Sequence, residues 1–236
     1  KNRAKPEGNL IIDKARQEGR HVLLEHEAKS LIKLHGAQTH VGQVAKTEDE
    51  AWEVAKKTGG NQVLKIVSPD ILHKSDARGV KLNLQSEKEI RNGFRQIMKN
   101  ALSHTPNADI RGVLVAPMAQ KGLEIIIGTK TDELFGPVIM YGLGGIMVEI
   151  MKDVTFWVLP VSPAACRKMI EDTRSSVLLD GVRGQSGYDK KSLRKLISIC
   201  SELIESYPEI QEMDLNPVIL YEQGLDVVDA RIILKK

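Results

Sequence analysis

The 236-residue chain is 42% hydrophobic, enough to bury a core in one two-lobed domain or two small ones, which excludes a tail or a linker. Its 34 Lys and Arg against 31 Asp and Glu leave a net charge of +3, too even a balance to argue for a nucleic-acid partner. No apolar run approaches the length of about eighteen residues that spans a membrane, the start lacks a signal-peptide apolar region, and Cys166 and Cys200 stand alone in apolar helical patterns; the expectation is a cytoplasmic protein with two buried thiols.

Residues 10–35 place Leu10, Ile11, Ala15, Val22, Leu23, His26, Leu31 and Leu34 at roughly helical spacing. This predicts a helical leader with a turn at Gly19 and a stop at Gly36. Two units of similar form follow. The first has a strand at 38–45, a helix opened by the capping box Thr47-x-x-Glu50 and a strand at 62–67. The second has a strand at 79–84, a helix opened by Ser86-x-x-Glu89 and a strand at 112–116. Beyond Pro117, strands joined by glycine turns are expected at 123–129, 137–141, 146–151 and 155–159. Helices at 163–173 behind Ser162 and at 190–206 behind Asp189 come next, then strands at 210–221 and 225–234. The expected fold class is α+β, with one lobe at 37–115, a second at 116–236 and the leader 10–36 packed on the second. The lobes would join near Val115 to Met118, with a ligand cleft between them.

Chemistry-bearing residues fall in four places. Lys65 sits inside the apolar strand Val63-Leu64-Lys65-Ile66-Val67, where it either snorkels at a sheet edge or faces a cleft to meet an anion. The polar loop Ser68 to Gly79 follows, carrying His73, Lys74 and Arg78, a composition that supplies N–H groups and cations to a phosphate. Glu124 opens an apolar strand and either meets a ribose, orients Lys65 or is an ordinary edge-strand charge. A hairpin across Glu222-Gln223-Gly224 would set Asn216 and Asp229 on neighbouring strands, with oxygens suited to a hard cation such as Mg2+, or with plain outward polar faces. Gly142-Leu143-Gly144-Gly145 fails as a dinucleotide fingerprint, since Met147 stands where the third glycine belongs, and no G-x-x-x-x-G-K-[ST] occurs.

Together, the stretch Val63 to Asp76, the stretch Phe135 to Gly145 and Glu212-Met213-Asp214-Leu215-Asn216-Pro217 resemble the beta subunits of ADP-forming acetate–CoA ligases. These are ATP-grasp proteins related to the beta chain of succinyl-CoA synthetase, and the resemblance runs from about residue 10 to the end. It implies an ATP-grasp fold with the nucleotide in the cleft between two lobes. It also implies the reversible reaction of acyl-CoA, ADP and phosphate to acid, CoA and ATP. A separate alpha subunit, in an alpha2beta2 assembly, would hold CoA and the acyl group. By the same resemblance Lys65 contacts nucleotide phosphates, Glu124 contacts the nucleotide, Asn216 and Asp229 hold Mg2+, and the linker from Val115 to Met118 meets adenine through its backbone. His73 matches a phosphohistidine on a swinging loop, Asp214 matches an acid that orients it, and Lys74 adds charge compensation. An extended arm from Lys65 to His73 reaches about 26 Å at ~3.3 Å per residue.

Two departures stand out. Where the family commonly has a paired glycine after the loop's aspartate, this chain has Ala77-Arg78-Gly79, which adds a cation and bears on loop motion. Where succinyl-CoA synthetases use a glutamate at the adenine linker, this chain has Ala116, which leaves the choice of ADP over GDP to backbone contacts. A non-catalytic nucleotide-sensing module and an ATP-grasp carboxylate–amine ligase are the competing functions; the set Lys65, His73, Asn216 and Asp229 argues against the first, and the second has no use for His73.

Overall fold

The computed structural model describes residues 4–145, 152–181 and 186–236; the strand expected at 146–151 lies outside the described residues. In chain order the elements are α1 (Pro6–Gln17), β1 (Val22–Leu23), α2 (Glu25–Leu34), β2 (Gln43–Ala45), α3 (Glu48–Thr58), β3 (Gln62–Val67), β4 (Val80–Leu84), α4 (Glu87–His104) and β5 (Gly112–Pro117). They continue with β6 (Leu123–Asp132), β7 (Gly136–Leu143), β8 (Val154–Val158), α5 (Pro163–Glu171), a 3-10 helix (Arg174–Asp180), α6 (Lys190–Ser206), β9 (Ile210–Leu220), β10 (Leu225–Val227) and β11 (Ala230–Leu234). Contacts divide them into two compact units. One comprises the chain up to Leu23, Glu27–Thr39 and Gln120–Lys236; the other comprises Leu24–His26 and His40–Ala119.

The smaller unit is an antiparallel sheet of order β2-β5-β3-β4. Its helices start where the sequence places polar caps. Thr47 accepts the Glu50 N–H at 3.1 Å, while the Glu50 carboxylate turns back to the Lys46 N–H at 2.6 Å, one residue earlier than a full capping box would have it. The box at α4 is complete, with Ser86 and Glu89 each accepting from the other's backbone. These helices lay Ala51, Ala55, Ile90, Phe94 and Ile97 on Leu64, Ile66, Val113 and Val115. On the opposite sheet face Val67 and Leu114 pack with Leu24, immediately before α2.

The larger unit has a sheet of order β1-β11-β9-β6-β7-β8, with β10 also paired to β9. One face is apolar. Ile125, Ile127, Tyr141, Met213, Leu215 and Ile232 share a core with residues of α1, α2, α5 and α6, including both cysteines. Strand alternation therefore turns Glu124, Asp214 and Asn216 to the other face.

The leader is not one helical stretch. Gly19 takes φ +71° after α1, and the next residues extend as β1, with Val22 opposite Ile233 and Leu23 opposite Ile232. The expected strand at 225–234 is also interrupted. The N–H groups of Val228 and Asp229 both turn to the Pro217 carbonyl, at 3.0 and 3.4 Å, which separates β10 from β11. Among the described residues no helix is long and apolar enough to cross a membrane.

Asp189 joins two elements of this unit. Its carboxylate accepts from the Ser192 N–H at 2.9 Å and hydroxyl at 2.7 Å, capping α6, and from the Gly224 N–H at 2.8 Å in the turn between β9 and β10. The Ser192 N–H, opposed by partial desolvation and helped by the remaining donors, holds its pKa down at about 2. Asp189→Ala should therefore cost about 1–2 kcal/mol at neutral pH. Because the folded pKa is depressed, that advantage is present above about pH 4, the unfolded value, and lost as pH falls through the folded one. Urea unfolding of both proteins at pH 7 and near pH 2 measures it, and an equal gap at both pH values would contradict the cap.

Candidate active site

Lys65 lies on β3, an internal strand flanked by β5 and β4, so edge snorkelling does not apply. The residue is 5% exposed, and its ammonium meets Glu25 Oε1 at 2.7 Å. Glu25 is the first residue of α2, and its side chain is 2% exposed. Its other oxygen, Oε2, stands 3.0 Å from the Lys74 Nζ, so one buried carboxylate is shared by two of the expected phosphate-binding lysines.

The segment between them is rooted at both ends. Ile71 and Ala77 are buried in the core of the smaller unit, and Asp70 accepts the Asp109 N–H at 2.6 Å. Between these anchors Leu72 and His73 are exposed. The turn then closes as a helix C-cap would. The Arg78 N–H donates to Ser75 O at 3.0 Å and the Gly79 N–H to Lys74 O at 2.7 Å, with Arg78 in the left-handed position at φ +47°. Position 78 is thus where a glycine would sit unstrained. Gly79 itself admits no side chain, since a Cβ would come within 2.5 Å of the Ile66 side chain. Arg78→Gly should raise the unfolding free energy by about 0.5–1 kcal/mol, relief of the left-handed backbone exceeding glycine's greater unfolded entropy. A denaturant midpoint lower than wild type would contradict it.

Val115 is interior to β5, opposite Leu64 on one side and Gln43 on the other, with its side chain in the core. The Met118 N–H donates to Asn61 O at 2.8 Å. In the larger unit, Glu124 is on β6, between β9 and β7, which removes the edge-strand alternative. Gly144 and Gly145 lie against it. The Gly144 N–H donates to Glu124 O at 2.7 Å, and a Cβ on Gly145 would stand 2.9 Å from Glu124 Oε2. The glycine group is a close-approach turn after β7, with Gly145 at φ +62°.

The hairpin register that pairs β10 and β11 with β9 sets Asn216 opposite Asp229, and the Asn216 N–H donates to Asp229 O at 3.3 Å. Asp229 Oδ1 accepts the Ala230 N–H at 2.9 Å, which orients the carboxylate. An amide oxygen and a carboxylate are hard donors that fit Mg2+. Asp214 stands opposite Arg231 on β11 and Gly128 on β6. Arg231 Nη2 pairs with Glu212 Oε1 at 2.9 Å, and these side chains line a depression with Met140 and Phe156. The structure thus gathers Lys65, His73, Lys74, Val115 and Met118 in the smaller unit and Glu124, Asp214, Asn216 and Asp229 in the larger.

Residues 14–234 match the ATP-grasp domain family. Over 234 residues the chain is 43% identical to the acetate–CoA ligase [ADP-forming] II subunit beta of Pyrococcus furiosus, covering 98% of this chain and 99% of that one. The chain belongs to that family of ATP-grasp beta subunits. A solved structure of the Ca. Korarchaeum cryptofilum dinucleotide forming acetyl-coenzyme A synthetase 1, with coenzyme A and Ca-AMPCP, superposes with TM-score 0.93 at 44% identity over 97% of this chain and all of that one. The same synthetase with coenzyme A and Mg-AMPPCP, its phosphohistidine segment pointing towards the nucleotide binding site, matches with TM-score 0.83 at 40% identity and the same coverage.

Two residues of this beta subunit escaped the sequence reading. Glu25 opens what reads as a leader helix, where an acidic residue in the first turn is ordinary, and its partner Lys65 is 40 positions away. Arg231 reads as an outward charge on a strand; only register sets it opposite Asp214.

Proposed function

We propose that this chain is the nucleotide-handling beta subunit of an ADP-forming acetate–CoA ligase, converting acyl-CoA, ADP and phosphate to acid, CoA and ATP together with an alpha subunit that holds CoA and the acyl group. The observation that carries this is the exposed His73 on an anchored turn whose next residue shares a carboxylate with Lys65. An imidazole nitrogen of His73 with a free lone pair attacks the γ-phosphorus of ATP, the P–N bond forming as the P–O bond to ADP breaks; in the reverse step a terminal oxygen of ADP attacks the phosphohistidine and the P–N bond breaks as ATP forms. Lys65 and Lys74 offset the charge on the transferring phosphoryl group. Asp214 orients the imidazole through its carboxylate when His73 is in transfer position.

Asn216 and Asp229 hold the Mg2+ of the nucleotide in this reading, and the ion when bound neutralises charge on the phosphates. The Mg-AMPPCP complex of the Korarchaeum synthetase supports the choice of metal. Glu124, held by the Gly144-Gly145 turn, contacts the nucleotide. The linker Val115 to Met118 meets adenine through its backbone in this reading, with the Met118 N–H itself given to Asn61 O at 2.8 Å. The assembly is alpha2beta2, and the compartment is cytoplasmic, in keeping with two buried free thiols. Co-purification with the alpha subunit and an assay of ATP formation from several acyl-CoAs tests the function. Mg-ADP binding without ATP formation from any of them would overturn it.

A further inference from the structure

Glu25 has no part in the reaction as described above, yet its carboxylate is buried at the centre of the lysine cluster. A buried carboxylate is costly unless paired, and here both oxygens face ammoniums, at 2.7 Å for Lys65 and 3.0 Å for Lys74. The three groups come from three differently held pieces of backbone. Glu25 opens α2 immediately after Leu24, which packs with Val67 and Leu114. Lys65 is fixed on an internal strand. Lys74 is on the turn that follows the exposed His73, and its side chain is 17% exposed against 6% for Lys65. If His73 travels, the Lys74 tie is the one that must break, while the pair with Lys65 can persist.

We propose that Glu25 is a positioning residue for phosphoryl transfer: its carboxylate aims the Lys65 ammonium at the nucleotide phosphate and, through Lys74, parks the His73 segment beside it. The role is the one a lysine–glutamate pair plays in protein kinases, where the lysine grips phosphates only while the glutamate holds it. Charge bookkeeping gives the same direction. Removing the carboxylate takes away the negative charge that both ammoniums face, which loosens the tie holding Lys74 and its segment near Lys65.

The inference rests on His73 being the phosphoryl carrier, and the test separates the two claims. In the complex with the alpha subunit, labelling of His73 is followed in single turnovers from saturating γ-labelled ATP, and separately from labelled phosphate with acetyl-CoA. Glu25→Gln should lower the ratio of the first rate to the second by about tenfold or more, and Lys74→Met should lower it by about threefold or more. A general structural defect would slow both rates together. A ratio within about twofold of wild type in a folded Glu25→Gln protein, or in Lys74→Met should the first variant not fold, overturns the positioning role. Absence of label on His73 in the wild-type complex overturns both claims, whereas wild-type label with unchanged ratios overturns this one alone.

Discussion

His73→Ala should abolish ATP formation by the complex, with a loss of roughly 10^4-fold or more, because removing a covalent nucleophile removes the path and not merely a fraction of its rate. The change falls on an exposed side chain of a turn anchored elsewhere, at Ile71, Ala77 and Asp70. Unfolding free energy should therefore stay within about 0.5 kcal/mol of wild type, as for other surface substitutions. The pair of measurements is diagnostic: activity gone and stability kept. A variant that retains more than about a hundredth of the wild-type rate would show that the phosphoryl group has another carrier.

The second large effect concerns the metal. Asp229→Ala removes the carboxylate from the Asn216 and Asp229 pair, and should weaken Mg-ADP binding about a hundredfold, ~2.7 kcal/mol. Binding of ADP in the presence of a chelator should change much less, since phosphate and base contacts are untouched. Calorimetric titration with and without Mg2+ separates the two. Equal losses in both conditions would assign Asp229 a role in shaping the strand break and none in metal binding. Its carboxylate does cap the Ala230 N–H, so a modest loss of stability should accompany either outcome.

Much of this arrangement is local enough to be read in the chain. Capping residues begin α3, α4, α5 and α6 where the sequence sets them, because a side chain that accepts from the third residue on requires nothing distant. Alternation identifies β3 from Gln62 to Val67 and puts Lys65 on the face away from Leu64 and Ile66. The juxtaposition of Asn216 with Asp229 also follows from a local rule, a hairpin with a turn at Gly224.

What the sequence leaves out is what depends on distant partners. β1 is two residues long and exists because β11 offers it a ladder, so Val22 and Leu23 fit a helical spacing equally well on their own. The interruption at Val228 and Asp229 is set by the Pro217 carbonyl on β9, and periodicity runs through it undisturbed. The 3-10 helix Arg174–Asp180 begins where Asp153 accepts the N–H groups of Arg174 and Ser175 at 2.9 and 2.7 Å, a cap supplied from about twenty residues upstream. Glu25 is the same case at the site itself. An acid in the first turn of a helix looks ordinary, and only the fold brings it to Lys65 and Lys74.

Phosphate mapping tests the role of His73 as phosphoryl carrier most directly. The complex with the alpha subunit is incubated with γ-labelled ATP and Mg2+ without acid or CoA, quenched in alkali and digested, and the labelled peptide is sequenced. The label should reside on His73, survive alkali and be lost in mild acid. Label confined to the nucleotide, or an acid-stable phosphate on any other residue, would contradict the account.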